Sequence, residues 1–226
     1  MAEAGASTAE RISRRQVDKF AERRAELAEA ALKTLSELGY ARTSLREIAM
    51  NSEFSHGVLH YYFNDKIDLI LEGVRQYKAV CVTRYDAIVD SATSARQLRS
   101  SFAAALAETL VDDGTMHRLW YDLRSQSLFE PSLRADVNTI DAKLEQMIYR
   151  IVSRYAALAD APVAVSSPVA YAMFDGLFQQ ALLHHLSGDA DAARNLDQQA
   201  CEVLDDLVLA APLARRPRQR VSRSAS

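Results

Sequence analysis

Apolar residues recur at helical spacing along almost the whole chain, and the strict alternation of a half-buried strand is nearly absent. Within residues 19–38, Phe20, Leu27, Ala31, Leu35 and Leu38 fall on one side, and Gly39 is a fitting C-terminal stop. Thr43 or Ser44 can cap a short helix over 45–51, with Glu47 three residues after Ser44 in the capping-box position. A second short helix starts at Ser55 and carries Val58, Leu59 and Tyr62, and Asn64-Asp65 then marks the turn into a long helix over 66–90. Further helices are predicted over 98–109, 116–129, 137–155, 169–186 and 192–209. They are separated by Asp112-Asp113-Gly114, Glu130-Pro131, a loop with two prolines and Ser187-Gly188-Asp189, and Pro212 stops the last. This pattern predicts an all-α chain of about nine helices. Residues 169–186 are apolar on more than one side, which demands cover on more than one side.

Composition narrows the class. The 226 residues are 49% hydrophobic and 25% charged, the balance of a soluble globular protein, and 7 Gly and 5 Pro are too few for a sandwich or barrel. Two distant cysteines, Cys81 and Cys201, make neither a disulfide framework nor a zinc spacing. There is no membrane-length apolar run and no apolar core of a secretory signal, so a cytoplasmic protein is expected. Catalytic signatures are missing: the five His show no metalloprotease spacing, and no nucleophile-elbow or phosphate-binding glycine pattern occurs. His184 and His185 are adjacent and point about 100° apart on a helix, so they do not form a chelating pair. No enzyme, metal or cofactor is expected.

Charge is unevenly spread beneath a formal net of −3. Residues 1–78 carry 12 basic and 12 acidic groups, residues 79–210 carry 10 and 18, and residues 211–226 carry 5 arginines and no acid. A basic arm with Arg11, Arg14 and Arg15 therefore leads an acidic body; charge alone leaves open a nucleic-acid contact or a solvated tail. The expected organisation is a disordered basic arm over 1–18, a first helical unit over 19–65, a second over 66–211, and a disordered Arg/Ser tail over 212–226.

Residues 43–66, TSLREIAMNSEFSHGVLHYYFNDK, hold the most specific signal. Two short amphipathic helices joined by a tight turn fit a helix-turn-helix, whose second helix lies in the major groove. Ser55, His56, Gly57, His60 and Tyr61 are the polar or small positions facing outward, while Val58, Leu59, Tyr62 and Phe63 can face inward. Ser44, Arg46 and Lys66 are placed to meet phosphates. Lys66 runs against the dipole at a helix start, which a phosphate would explain and a solvated lysine would not need. The competing reading is a plain helical hairpin, which leaves the Ser, His, Gly and Tyr content unexplained.

These residues resemble the DNA-binding signature of the tetracycline-repressor-like (TetR) family of bacterial transcription regulators. Thr43, Ser44, Leu45, Arg46, Glu47, Ile48 and Ala49, then Ser55, Gly57, Leu59, Tyr62, Phe63, Asp65, Lys66 and Leu69, match its pattern, preceded by Gly39-Tyr40. The resemblance extends from Phe20 to Tyr77 and is only architectural beyond Tyr85. Two positions depart from it. Glu53 replaces a turn glycine, which implies a strained or altered turn, and His60 stands where a phosphate-touching Tyr is usual.

The resemblance implies double-stranded operator DNA as partner, a homodimer, and an unidentified small-molecule effector in a cavity among the central helices. Candidate cavity residues are Phe102, Leu106, His117, Trp120, Tyr121, Arg124, Met147, Phe174 and Phe178; for Trp120 and Arg124, a core side chain and a structural ion pair are the plainer alternatives. Surplus apolar surface on the last two helices puts Leu177, Ala181, His184, Leu196, Ala200, Val203, Leu204 and Leu207 at the dimer interface. Two readings stand: a repressor released by its ligand, or a constitutive DNA-binding or helical interaction module. A ligand-gated protein should enclose a void of ~300–1,000 Å³.

Overall fold

The computed structural model describes residues 8–40 and 43–209, with side chains from 16 to 40 and from 43 to 208. Among these residues stand ten α-helices and one short 3-10 turn, with no strand. The helices are α1 (Thr8–Leu38), α2 (Leu45–Met50), α3 (His56–Tyr62), α4 (Lys66–Cys81), α5 (Asp86–Ser91), α6 (Ala95–Asp112), α7 (Gly114–Gln126), α8 (Arg134–Leu158), α9 (Ser167–Leu186) and α10 (Ala192–Leu209), and the 3-10 turn covers Pro131–Leu133. The nine expected helices are all present.

The tenth comes from a break in the expected 66–90 helix. After Cys81 the chain tightens into turns, with Thr83 N–H bonding Val80 O at 3.3 Å and Arg84 N–H bonding Cys81 O at 3.2 Å. The β-branched Val80, Val82 and Thr83 weaken the helix here. The carbonyl of Val82 is taken by Arg150 of α8, whose Nη2 donates to it at 2.6 Å. The break turns Tyr85 inward, where its hydroxyl meets Thr109 Oγ1 at 3.0 Å and its ring stands edge-on to Phe102.

At the front the expected disordered arm needs correcting. Helix α1 begins at Thr8, so Arg11, Arg14 and Arg15 lie in its first turns. That stretch lacks an apolar stripe but also lacks Gly and Pro, and its Ala, Glu, Arg and Gln residues sustain a helix by propensity alone. The side chains of those three arginines, residues 1–7, and residues 210–226, which hold the Arg/Ser tail expected over 212–226, lie outside the described residues.

One continuous apolar core joins the front and back of the molecule. Helix α1 buries Leu27, Ala28, Ala31 and Leu35 against α4 and α7. Gly73 permits this close approach: a Cβ there would stand 2.6 Å from Leu32 Cγ and 3.0 Å from the Ala28 carbonyl oxygen. Helices α6, α8, α9 and α10 pack into a bundle behind them, with α10 laid on α6 and α9.

This packing overturns most of the expected dimer set. Ala181, Leu196, Ala200, Leu204 and Leu207 are buried inside the protomer, and only Leu177, His184 and Val203 keep accessible surface. An apolar stripe shows that something must cover it, not which chain does. The apolar surface left over lies on a different line of α9, where Val169, Met173 and Leu183 are exposed beside Ala172 and Gly176.

Candidate nucleic-acid interface and ligand cavity

The local chemistry of residues 43–66 builds a rigid helix-turn-helix. Glu47 N–H donates to Ser44 Oγ at 3.2 Å while Ser44 N–H donates to the Glu47 carboxylate at 2.7 Å, closing the capping box. Leu45 and Ile48 are buried beneath α2. Asn51 ends that helix, its amide donating to Glu47 O at 2.8 Å. Glu53 does not take a left-handed backbone; among the described non-glycine residues only Asp160 does. The altered-turn alternative therefore describes this segment, and strain does not.

Helix α3 divides as its sequence implies. Leu59 and Phe63 are buried, Val58 and Tyr62 half-buried, and Ser55, His56, Gly57, His60 and Tyr61 all exposed. Ser55 caps the helix by accepting from Val58 N–H at 3.3 Å. His56 and His60 sit one turn apart with their Nε2 atoms 3.1 Å apart, so they present a joined pair of polar rings. Tyr61 stands edge-on to Tyr62 and to Phe20 of α1. Ser44 and Arg46 are exposed. Lys66 is half-buried: its Nζ donates to Tyr40 O at 3.0 Å and lies 4.1 Å from the Tyr40 ring centre. The sequence pattern did not reveal Arg24, which ties α3 to both long helices. Its guanidinium donates to Tyr62 O at 2.6 Å, pairs with Asp68 and Glu72, and covers the Phe63 ring.

Helix α7 holds the end of α1. Arg118 Nη2 donates to the carbonyls of Ser36 and Glu37, two of the acceptors a helix end leaves free. One turn on, the Asp122 carboxylate accepts from Tyr40 N–H at 2.7 Å, just after Gly39 has turned the chain at φ +80°. The opposite face of the same helix looks into the bundle.

A cavity lies there, walled by α4, α6, α7, α8 and α9. Leu106, His117, Trp120, Tyr121, Met147, Phe174 and Phe178 line it, seven of the nine residues expected. Phe102 lies behind the lining, edge-on to Phe174 and Tyr85, and Arg124 is drawn into pairs with Asp141 and Asp175. The sequence reading missed Lys78, Arg84, Tyr85, Tyr171 and Asp175, which also line it. Its volume is a further correction: the centre of a water-sized sphere can move through about 70 Å³. That is room for a handful of waters or a small organic group, below the ~300–1,000 Å³ of an ordinary ligand pocket.

Charges around the cavity are paired in a chain. Arg124 bridges Asp141 and Asp175, Tyr171 donates to Asp141 at 2.6 Å, and Tyr121 donates to Asp175 at 3.1 Å. Burial, and then the neighbouring Asp175, hold the Tyr121 and Tyr171 hydroxyls far above their usual range, so they stay protonated donors. Arg84 pairs with Asp113 and donates to Thr109 at 3.2 Å. Burial, with Lys78 and Arg84 nearby, pushes His117 down to about 2, which keeps its ring neutral.

Residues 27–72 match the model of bacterial regulatory proteins of the tetR family. The HTH-type transcriptional regulator BetI of Burkholderia thailandensis is 30% identical over 189 residues, covering 80% of this chain and 93% of BetI. The chain belongs to the tetR family. It is a transcriptional regulator and not an enzyme. Solved structures agree in fold. A regulator from Saccharomonospora viridis in complex with choline is 18% identical with a TM-score of 0.68, over 83% of this chain and 97% of that one. FadR from Bacillus subtilis in complex with stearoyl-CoA is 17% identical with a TM-score of 0.63, over 79% and 95%. Among the described residues of this tetR-family chain, no helix is long and apolar enough to cross a membrane.

Proposed function

We propose that this regulator acts as a homodimeric repressor that holds a palindromic operator and releases it when a small molecule enters the cavity. Ser55, His56, Gly57, His60 and Tyr61 read the major groove; Ser44, Arg46 and Lys66 meet phosphates, joined by Arg11, Arg14 and Arg15 from the first turns of α1. The second copy docks on the exposed line of α9, where Ala172 and Gly176 let two helices approach closely between Val169, Met173 and Leu183. A two-fold pair sets the recognition helices about 34–36 Å apart, one turn of DNA. The choline and stearoyl-CoA bound by the two fold neighbours support a small-molecule effector here, without naming it.

One observation carries the switch: α7 faces two ways. His117, Trp120 and Tyr121 line the cavity, while Arg118 and Asp122 grip the end of α1 and Tyr40, the residue that seats Lys66. A guest larger than the free space must displace α7, and that motion reaches Tyr40 and Lys66 directly. The guest releases DNA because it prefers the displaced arrangement. The test begins with a duplex selected from a random pool. Inverted repeats, a dimer in sedimentation that Leu183→Glu dissociates, and an Asp122→Ala variant that holds the duplex weakly and no longer responds to small molecules are expected. A monomer at micromolar concentration overturns the dimer. A duplex complex that no small molecule weakens overturns the release mechanism and favours a constitutive binder.

A further inference from the structure

Helix α4 has one residue out of character with its surroundings. Leu71, Val74, Lys78 and Cys81 follow one another at spacings of three and four along its buried stripe, and the third of them is an amine. Lys78 is only 2% exposed, lines the cavity, and forms no ion pair among the described residues. The carboxylates around it are engaged elsewhere: Asp113 by Arg84, Asp141 by Arg124 and Tyr171, and Asp175 by Arg124 and Tyr121. The Arg124, Asp141 and Asp175 cluster carries one net negative charge and attracts Lys78 at longer range, but its oxygens already face their own donors. Aromatic rings hold the ammonium in the meantime, with Nζ 4.9 Å from the Trp120 ring centre and 5.4 Å from that of Tyr77. Burial lowers its pKa to about 8, which leaves it mostly charged at neutral pH.

A buried charge without a partner is costly, and such groups persist where they have a use. A second group agrees with it. His117 Nε2 is buried, bonds to nothing among the described residues, and belongs to a neutral ring on the cavity wall. Apart from Arg84, Thr109 and Asp175, which are held by their own partners, the remaining lining is apolar or aromatic, with Tyr85, Met147, Phe174 and Phe178 among its residues.

We propose that the cavity takes a small organic monocarboxylate, its apolar body against the aromatic walls and its carboxylate paired with Lys78 and hydrogen-bonded by His117. The inference rests on reading the cavity as the effector site. A quaternary ammonium such as the choline of the Saccharomonospora structure would meet Lys78 and Arg84 at short range in a medium that screens poorly, with no free carboxylate among the described lining residues to receive it.

The test compares matched probes on the full chain by calorimetry at neutral pH: benzoate and hexanoate, their amides, and choline. A carboxylate should bind at least tenfold tighter than its amide, and Lys78→Met should erase that preference. Without any probe, Lys78→Met should melt about 2–4 °C higher, because an unpaired buried charge has been replaced by an apolar chain of similar length. The inference is overturned if amides or choline bind as well as the carboxylates, if neither carboxylate binds, or if Lys78→Met keeps the preference or melts lower. The duplex complex separates the two readings. A carboxylate that binds through Lys78 and leaves DNA bound removes the release mechanism alone. Release by amides or choline keeps that mechanism and removes the carboxylate.

Discussion

The outer face of α3 and the wall of the cavity are built on opposite plans. At Ser55 and along α3, five proposed DNA-contact positions lie within seven consecutive residues, all exposed, and the buried Leu59 and Phe63 that seat them are supplied by the same short segment. The cavity collects side chains from five helices between Lys78 and Phe178, most of them buried. A surface site of the first kind can change its chemistry one residue at a time with little cost to the fold. A site of the second kind is part of the core, so recognition and stability there draw on the same atoms.

Substitutions can break or sharpen that contrast. Phe102→Ala, behind the cavity, should cost about 3–5 kcal/mol of unfolding free energy in a denaturant titration, as a fully buried ring leaves a void. A loss below about 1 kcal/mol would mean the back of the cavity collapses freely. Asp122→Ala, at the joint between the two regions, should cost about 1–3 kcal/mol, because the Tyr40 N–H loses its acceptor. Its weaker DNA binding would show that the two regions communicate through α7; unchanged binding would separate them.

Stability against pH should report the cavity. Lys78 binds its proton less tightly folded, at about 8, than unfolded, at 10.5, so above pH 8 the unfolded chain holds more protons and stability rises with pH. Above pH 10 the buried Tyr77, Tyr121 and Tyr171, all raised by burial, remain protonated only in the folded chain, and stability falls. On the acid side His117 refuses its proton until about 2, while the unfolded chain accepts it near 6.5, so stability is lost as pH drops below 6.5. Each group changes stability by at most about 1.4 kcal/mol per pH unit. Thermal melts from pH 5 to 11 should show all three slopes, with Lys78→Met flattening the rise between 8 and 10 and His117→Phe flattening the acid side. Smaller still, Ser44→Ala should remove about 1 kcal/mol with the capping box. Tyr61→Ala, 73% exposed, should stay within about 0.5 kcal/mol while DNA binding weakens.

Legibility in the sequence followed the same divide. The helix-turn-helix was readable because its caps, turn and inward residues are neighbours in the chain, and Ser44, Glu47, Leu59 and Phe63 do in the structure what their spacing implies. The all-helical class and nearly all helix positions were readable from periodicity. What periodicity does not encode is the identity of the covering surface, which is why Leu196, Ala200, Leu204 and Leu207 were expected between protomers and are found buried inside one, where α10 packs on α6 and α9. The start of α1 at Thr8 rests on propensity without an apolar stripe, and the break before Tyr85 rests on Arg150, 68 residues further along the chain. Lys78 did leave a signal, a lone charge on an otherwise buried stripe of α4. Arg84, Tyr171 and Asp175 left none, since only the bundle's closure brings them together.

Under the proposed release mechanism, the tight cavity also sets a clock. With about 70 Å³ of free space, a molecule of more than a few heavy atoms enters only after the surrounding helices part, a collective motion of microseconds to milliseconds or longer. Capture then follows opening, so the rate of response climbs with effector concentration and levels off at the opening rate. Weak and strong effectors share that ceiling and differ in how long they stay. A cell that floods the protein with its signal gains occupancy, but not speed.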